Sequence, residues 1–215
     1  MQQLPAQEYQ LHAFRHARYA RDPQALTDTG WVKTLTLAYS LRDQKFDAIV
    51  ASAQPRAIQT ALILKYSLGI AAELQTAQEI EYVLGWINIM FKESYPKSTL
   101  AVTHQPVLES RIKDFTTKEY DPEYCEGLLI KGNDFKEICN AKDNVSVDYL
   151  SPMSYRDLSQ NSPDFANAAL KSFQKVSKNS ATLDTDLIKE FDYDGLFKLI
   201  QQPFGFQTIS NIRQL

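Results

Sequence analysis

The sequence predicts an α/β fold: a three-layer sandwich with a mainly parallel central sheet flanked by helices, plus a mixed or helical C-terminal extension. Three observations predict it. Short apolar runs alternate with segments of helical periodicity from residue 10 to residue 131, as strands joined by crossover helices do. Hydrophobic residues make up 44% and charged residues 23% of the 215, a globular composition that excludes a mainly disordered, collagen-like or coiled-coil chain. Past residue 140 the text turns rich in Ser, Asn, Asp and Gln, so the alternation stops there. The expected division is a core over residues 1–137 and an extension over residues 138–215 packed on it.

The elements follow in order. Residues 10–15 form an apolar-leaning run that suits a buried strand and ends in the ionisable pair Arg15-His16. Capping residues open the next segment at Thr27, and Trp31, Leu35, Ala38 and Leu41 then recur at helical spacing. Residues 46–51 are a compact strand. Pro55 starts a second helix, whose apolar face is Ile58, Ala61, Leu62 and Tyr66. A short segment at 71–74, a helix over 82–92, a strand over 99–103, a helix after Pro106 and a last strand over 127–131 complete the core. In the extension, Ser162-Pro163-Asp164 marks a helix start, with Phe165, Ala169, Phe173 and Val176 behind it. Residues 183–201 are a further helical candidate, on Leu187, Ile188, Phe191, Phe197 and Ile200.

Charge and cysteine usage narrow the function classes. With 23 Lys+Arg against 26 Asp+Glu, a net charge of -3 gives no global footprint for nucleic acid or an anionic membrane. Cys125 and Cys139 are the only cysteines, too few for a disulfide framework and without metal-ligand spacing, which favours a reducing compartment. The first twenty residues lack the apolar core of a signal peptide, and no stretch approaches a membrane-spanning helix. A soluble, cytoplasmic protein is the expectation, with no signal for oligomeric state.

Residues able to carry chemistry converge in this topology. Arg15-His16 ends the first strand, His104 ends the strand over 99–103, and Arg56 starts the helix that follows the strand over 46–51. Parallel strands open on one edge, where ligands of such sheets bind. Two guanidiniums, two imidazoles and a helix start would there face one ligand, a set suited to a dianionic phosphoryl group. Arg18 extends the positive rim or is simply solvated. His12 has no partner in the pattern and reads as structural, as do the tryptophans and most Tyr and Phe residues; the loop over 120–124 is a candidate pocket border.

Four blocks in order, Arg15-His16-Ala17, Leu26-Thr27-Asp28-Thr29-Gly30, residues 46–61 with Ser52-Ala53-Gln54-Pro55-Arg56-Ala57 inside them, and Val102-Thr103-His104, resemble the histidine phosphatase (phosphoglycerate mutase-like) superfamily. The resemblance spans residues 9–132, and the compact spacing from His104 to residues 127–130 is similar to the SixA-like branch. It implies that His16 accepts the phosphoryl group, that Arg15 and Arg56 clamp its oxygens, and that His104 stabilises the charge in flight. It also implies a carboxylic acid that protonates the leaving group, with Glu81 favoured over Glu79. No metal and no cofactor are implied.

The expected activity is therefore a metal-independent phosphatase acting on phosphate monoesters of small molecules or on phosphorylated protein side chains. A mutase is less favoured, since only 22 residues separate Glu81 from His104. The alternative is a catalytically silent phosphate- or partner-binding module of the same fold. Its motive is Ala17, where the family pattern has glycine, together with the unmatched C-terminal third. Neither nucleic acid nor membrane is an expected partner.

Overall fold

The computed structural model describes residues 8–21, 25–77, 96–115, 119–135, 138 and 145–177. The chain begins with β1 (Tyr9–Arg15), a short hairpin of β2 (Tyr19–Ala20) and β3 (Ala25–Leu26), and α1 (Asp28–Ser40). It continues through β4 (Ala48–Ser52), α2 (Pro55–Ser67), β5 (Leu74–Ala77), β6 (Ser98–Thr103) and α3 (Gln105–Phe115). Then follow β7 (Gly127–Gly132), β8 (Val145–Leu150), α4 (Tyr155–Asn161) and α5 (Pro163–Ser177).

Among the described residues, six strands make the main sheet in the order β5-β4-β6-β1-β7-β8. The β5-β4, β4-β6 and β6-β1 pairs are parallel, whereas β7 pairs antiparallel with both β1 and β8. Alternation along the strands builds two cores. On one face lie Phe14, Ile49, Ala51, Leu100 and Val102, covered by α1, α2, α4 and α5. On the other lie Leu11, Ala13, Val50 and Ala101, covered by Val107, Leu108 and Ile112 of α3. A strand covered on both faces has no polar side to offer, which is why β1, β4 and β6 read as continuous apolar runs. The three-layer arrangement with a mainly parallel sheet is thus present.

Two details differ from the sequence reading. The strand at 127–131 is not the last: β8 hydrogen-bonds along all of β7, in register from Gly127↔Leu150 to Gly132↔Val145. Its alternating intermediate and exposed residues carry little apolar signal, so a half-covered edge strand was hidden inside polar text. The short segment at 71–74 is displaced too, since β5 runs over Leu74–Ala77. The helical candidates at 82–92 and 183–201 lie outside the described residues.

Among the described residues past 150, Met153 and Phe165 contact α1. Phe165 stacks at 5.1 Å from Tyr39 of α1, and the Met153 N–H donates to Ser40 Oγ at 3.1 Å. No helix among the described residues is long and apolar enough to cross a membrane.

Candidate active site

Parallel pairing of β1 with β6 sets the site's geometry. The register ends on Arg15↔Thr103, and the His16 N–H continues the ladder to the Thr103 carbonyl at 2.9 Å. The next residues along the two strands, His16 and His104, are therefore neighbours, with ring centroids 4.9 Å apart. β4 ends alongside in Ser52, and α2 then starts at Pro55, a residue preorganised for a first helical turn. Arg56 follows at once and reaches across the same edge.

The hydrogen bonds determine the tautomer of each ring. His16 Nδ1 lies 2.8 Å from the Ala17 carbonyl, which can only accept, so Nδ1 carries the proton. Arg56 Nε, a donor only, lies 3.0 Å from His16 Nε2, so that nitrogen is unprotonated and its lone pair accepts from Arg56. His104 follows the same logic: Nδ1 faces Arg56 Nη2 at 3.4 Å, leaving Nε2–H to donate to Ser52 Oγ at 2.6 Å. Burial pushes His16 down to about 3; His104, Arg56 and Arg15 add to this, and the bond to Ala17 opposes it. His104 is pushed down to about 4 by burial and by the two guanidiniums. Both rings are thus neutral near pH 7.

Arg15 donates from Nη1 to the Pro122 carbonyl at 2.7 Å, while its buried Nε has no partner among the described residues. Neither Arg15 nor Arg56 has a carboxylate within ion-pair distance among the described residues. Two cations without counter-ions border a cavity of about 290 Å³ whose walls also include Tyr19, Tyr124, Gln105 and Pro106. Such a site attracts an anion that brings its own acceptor oxygens.

The loop after His16 is held from below. The Ala17 N–H donates to Thr60 Oγ1 at 3.0 Å, and that hydroxyl donates to the Arg56 carbonyl at 2.7 Å. One side chain of α2 thereby ties the histidine loop to the arginine helix. Ala17 is fully buried and does not take a positive φ, so its methyl meets no backbone penalty where the family pattern has glycine. Among the described residues, the non-glycine with positive φ is Cys125, at 64°. Its N–H donates to the Arg15 carbonyl at 3.1 Å, which sets Tyr124 at the cavity wall.

The structure brings Arg15, His16, Arg56 and His104 together. Arg18 is exposed and does not line the cavity, and its carbonyl accepts from the Thr27 N–H at 3.0 Å. Glu79 and Glu81 lie outside the described residues. His12, 2% exposed, is away from the cavity and meets Phe46 edge-on at 5.0 Å. Sequence reasoning assigned no role to Ser52, Thr60, Gln105 or Tyr19. For Ser52 a signal existed, its place at the end of a strand opening on the site; an aromatic such as Tyr19 reads by default as core.

Comparison with known proteins agrees with this geometry. Residues 15–84, about a third of the chain, match the model of the histidine phosphatase superfamily (branch 1). No curated protein sequence matches the chain. Among solved structures, the protein histidine phosphatase SixA complexed with tungstate aligns with a TM-score of 0.54 at 18% identity, covering 66% of this chain and 97% of that one. A mycobacterial glucosyl-3-phosphoglycerate phosphatase aligns at 0.52 and 10% identity over 68% and 100% of the two chains. The alpha-ribazole phosphatase from Shigella flexneri aligns at 0.52 and 14% identity over 66% and 96%. The fold is that of compact histidine phosphatases.

Proposed function

We propose that this chain, with the fold and the N-terminal sequence pattern of the histidine phosphatase superfamily, is a metal-independent phosphatase working through a phosphohistidine on His16. The observation that carries the reading is the neutral His16 ring, its Nδ1 tied to the Ala17 carbonyl and its Nε2 lone pair accepting from Arg56, in a cavity that Arg15 also lines and where neither guanidinium has a counter-ion among the described residues.

In the first step His16 Nε2 attacks phosphorus, the N–P bond forms, and the bond to the leaving oxygen breaks with its electron pair. For the lone pair to attack, Arg56 first transfers its Nε–H hydrogen bond from His16 Nε2 to a phosphoryl oxygen, and Arg15, which also lines the cavity, adds its guanidinium charge. His104 contributes differently. With Nε2–H committed to Ser52, its Nδ1 becomes a donor only by taking up a proton, which the arriving dianion favours. A carboxylic acid supplies the leaving group's proton, and we assign that role to Glu81 before Glu79. Water attacks phosphohistidine in the second step, releasing phosphate and regenerating the neutral ring.

Phosphate esters of small molecules and phosphorylated protein side chains both fit a cavity of this size, open at one sheet edge. A protein histidine phosphatase among the structural neighbours supports the second class.

The test is hydrolysis of an aryl phosphate with chelator present, wild type beside His16→Ala. Chelator-resistant turnover in the wild type, lost by at least about a thousandfold in the variant, together with an acid-labile, alkali-stable phosphoryl label on His16, is the expected outcome. Equal activity in both proteins would refute the assignment of His16. Phosphate binding without turnover in the wild type would favour the silent binding module.

A further inference from the structure

Each of the two site arginines lies against the face of a tyrosine. The Arg15 Cζ is 4.1 Å from the centroid of the Tyr124 ring, and the Arg56 Cζ is 4.6 Å from that of Tyr19. The same two rings flank His16, with centroids at 5.4 Å for Tyr19 and 5.7 Å for Tyr124. Among the described residues, the other partners of the guanidiniums are neutral: the Pro122 carbonyl for Arg15, and His16, His104 and Gln54 Oε1 for Arg56.

We propose that Tyr19 and Tyr124 are positioning residues that orient the phosphate-clamping arginines through their ring faces, doing so without the charge that a carboxylate would bring. The proposal rests on reading this cavity as a phosphate site. An arginine side chain has several free torsions, and holding it in one place costs entropy unless a partner fixes it. A carboxylate would fix it strongly, but would cancel its charge and repel an incoming dianion. A ring face attracts the cation through its quadrupole and leaves the N–H edges free for phosphate oxygens.

Different devices hold the two rings. Tyr19 sits on the β2–β3 hairpin, paired in register with Leu26. Tyr124 precedes the left-handed turn at Cys125, whose N–H bonds to the carbonyl of Arg15 itself, while the Arg15 N–H donates to the Glu126 carbonyl at 2.8 Å. The ring that orients Arg15 is thus anchored to Arg15's own backbone.

The test compares Tyr19→Phe, Tyr19→Leu, Tyr124→Phe and Tyr124→Leu. Affinity for inorganic phosphate is read by calorimetry, KM and kcat on an aryl phosphate by kinetics, and folding by circular dichroism. Each leucine variant should weaken phosphate binding by about tenfold and raise KM more than it lowers kcat, and each phenylalanine variant should restore binding to within about twofold of wild type. Folded leucine variants that bind phosphate as the wild type does would overturn the proposal, as would phenylalanine variants that lose as much as leucine. Nitrogen relaxation of the Arg15 and Arg56 Nε–Hε groups separates this from the phosphatase reading. If the wild type neither binds nor hydrolyses phosphate, that reading fails; loss of guanidinium order in the leucine variants alone still supports the ring contact, and unchanged order refutes it.

Discussion

Thr60 shows how much one hydroxyl does at this site. Its Oγ accepts from the buried Ala17 N–H and donates to the Arg56 carbonyl, and the Ala17 carbonyl in turn fixes His16 Nδ1. Replacing Thr60 with Val leaves a buried N–H without an acceptor, a loss of about 1–3 kcal/mol. Thr60→Ser keeps the hydroxyl and loses only a methyl, about 1 kcal/mol. Denaturant unfolding should rank the variants in that order, and kcat/KM should fall further in the valine protein because His16 loses its fixed tautomer. Equal losses in the two would show that the methyl, rather than the hydrogen bond, holds the loop. At this scale the meeting of Arg15, His16, Arg56 and His104 was legible in the sequence, since they stand at strand ends or a helix start. The supporting set was not, because a threonine inside a helix or a tyrosine on a hairpin has the same local signature whether or not it touches a site.

Helix α1 begins beneath the histidine loop, and its first turn is built for that proximity. Thr27 caps it by accepting from the Gly30 N–H at 3.2 Å and binds the Arg18 carbonyl through its own N–H. A Cβ added at Gly30 would run into that same Arg18 carbonyl. Gly30→Ala should therefore destabilise by about 1–3 kcal/mol, although alanine is the better helix former by about 1 kcal/mol. Urea unfolding measures the loss, and weaker phosphate binding should accompany it because the displaced loop carries His16. A stabilised Gly30→Ala protein would mean that the loop yields without cost. Gly127 meets a similar constraint, since a Cβ there would strike the Ala13 carbonyl across the β1–β7 pair. The capping residues and Pro55 announced their helices locally, whereas β8 was concealed, because an edge strand half open to solvent needs no apolar run.

For the whole molecule, the three histidines make stability depend on pH in one direction. His12, pushed down to about 4 by burial and Lys131, joins His16 at about 3 and His104 at about 4. Each lies below the ordinary value of 6.5, so between about pH 6.5 and 4 the unfolded chain binds more protons than the folded one. The contribution is fully present above about pH 6.5 and is lost as the pH falls through that window. Thermal unfolding should show a midpoint that drops between pH 7 and 4. His12→Leu should flatten part of the slope. Added phosphate should flatten another part, because a bound anion offsets the cost of charging His16 and His104. A midpoint independent of pH over this range would contradict the burial of neutral imidazoles.

The sequence by itself determined the three-layer α/β class and the convergence of Arg15, His16, Arg56 and His104 on one sheet edge. Both follow from short-range information: periodicity announces each strand and helix, and parallel topology sends the strand ends to a common side. Only the tertiary structure decided what surrounds those four residues. The tautomers of His16 and His104 depend on Ala17, Ser52 and Arg56 meeting them in space. Among the described residues, tyrosine rings rather than carboxylates lie against the arginines. β8 joins the sheet because β7 leaves it an unpaired edge. These are contacts between segments far apart in the chain, and no local pattern of side chains encodes which distant group will supply a hydrogen bond or a ring face.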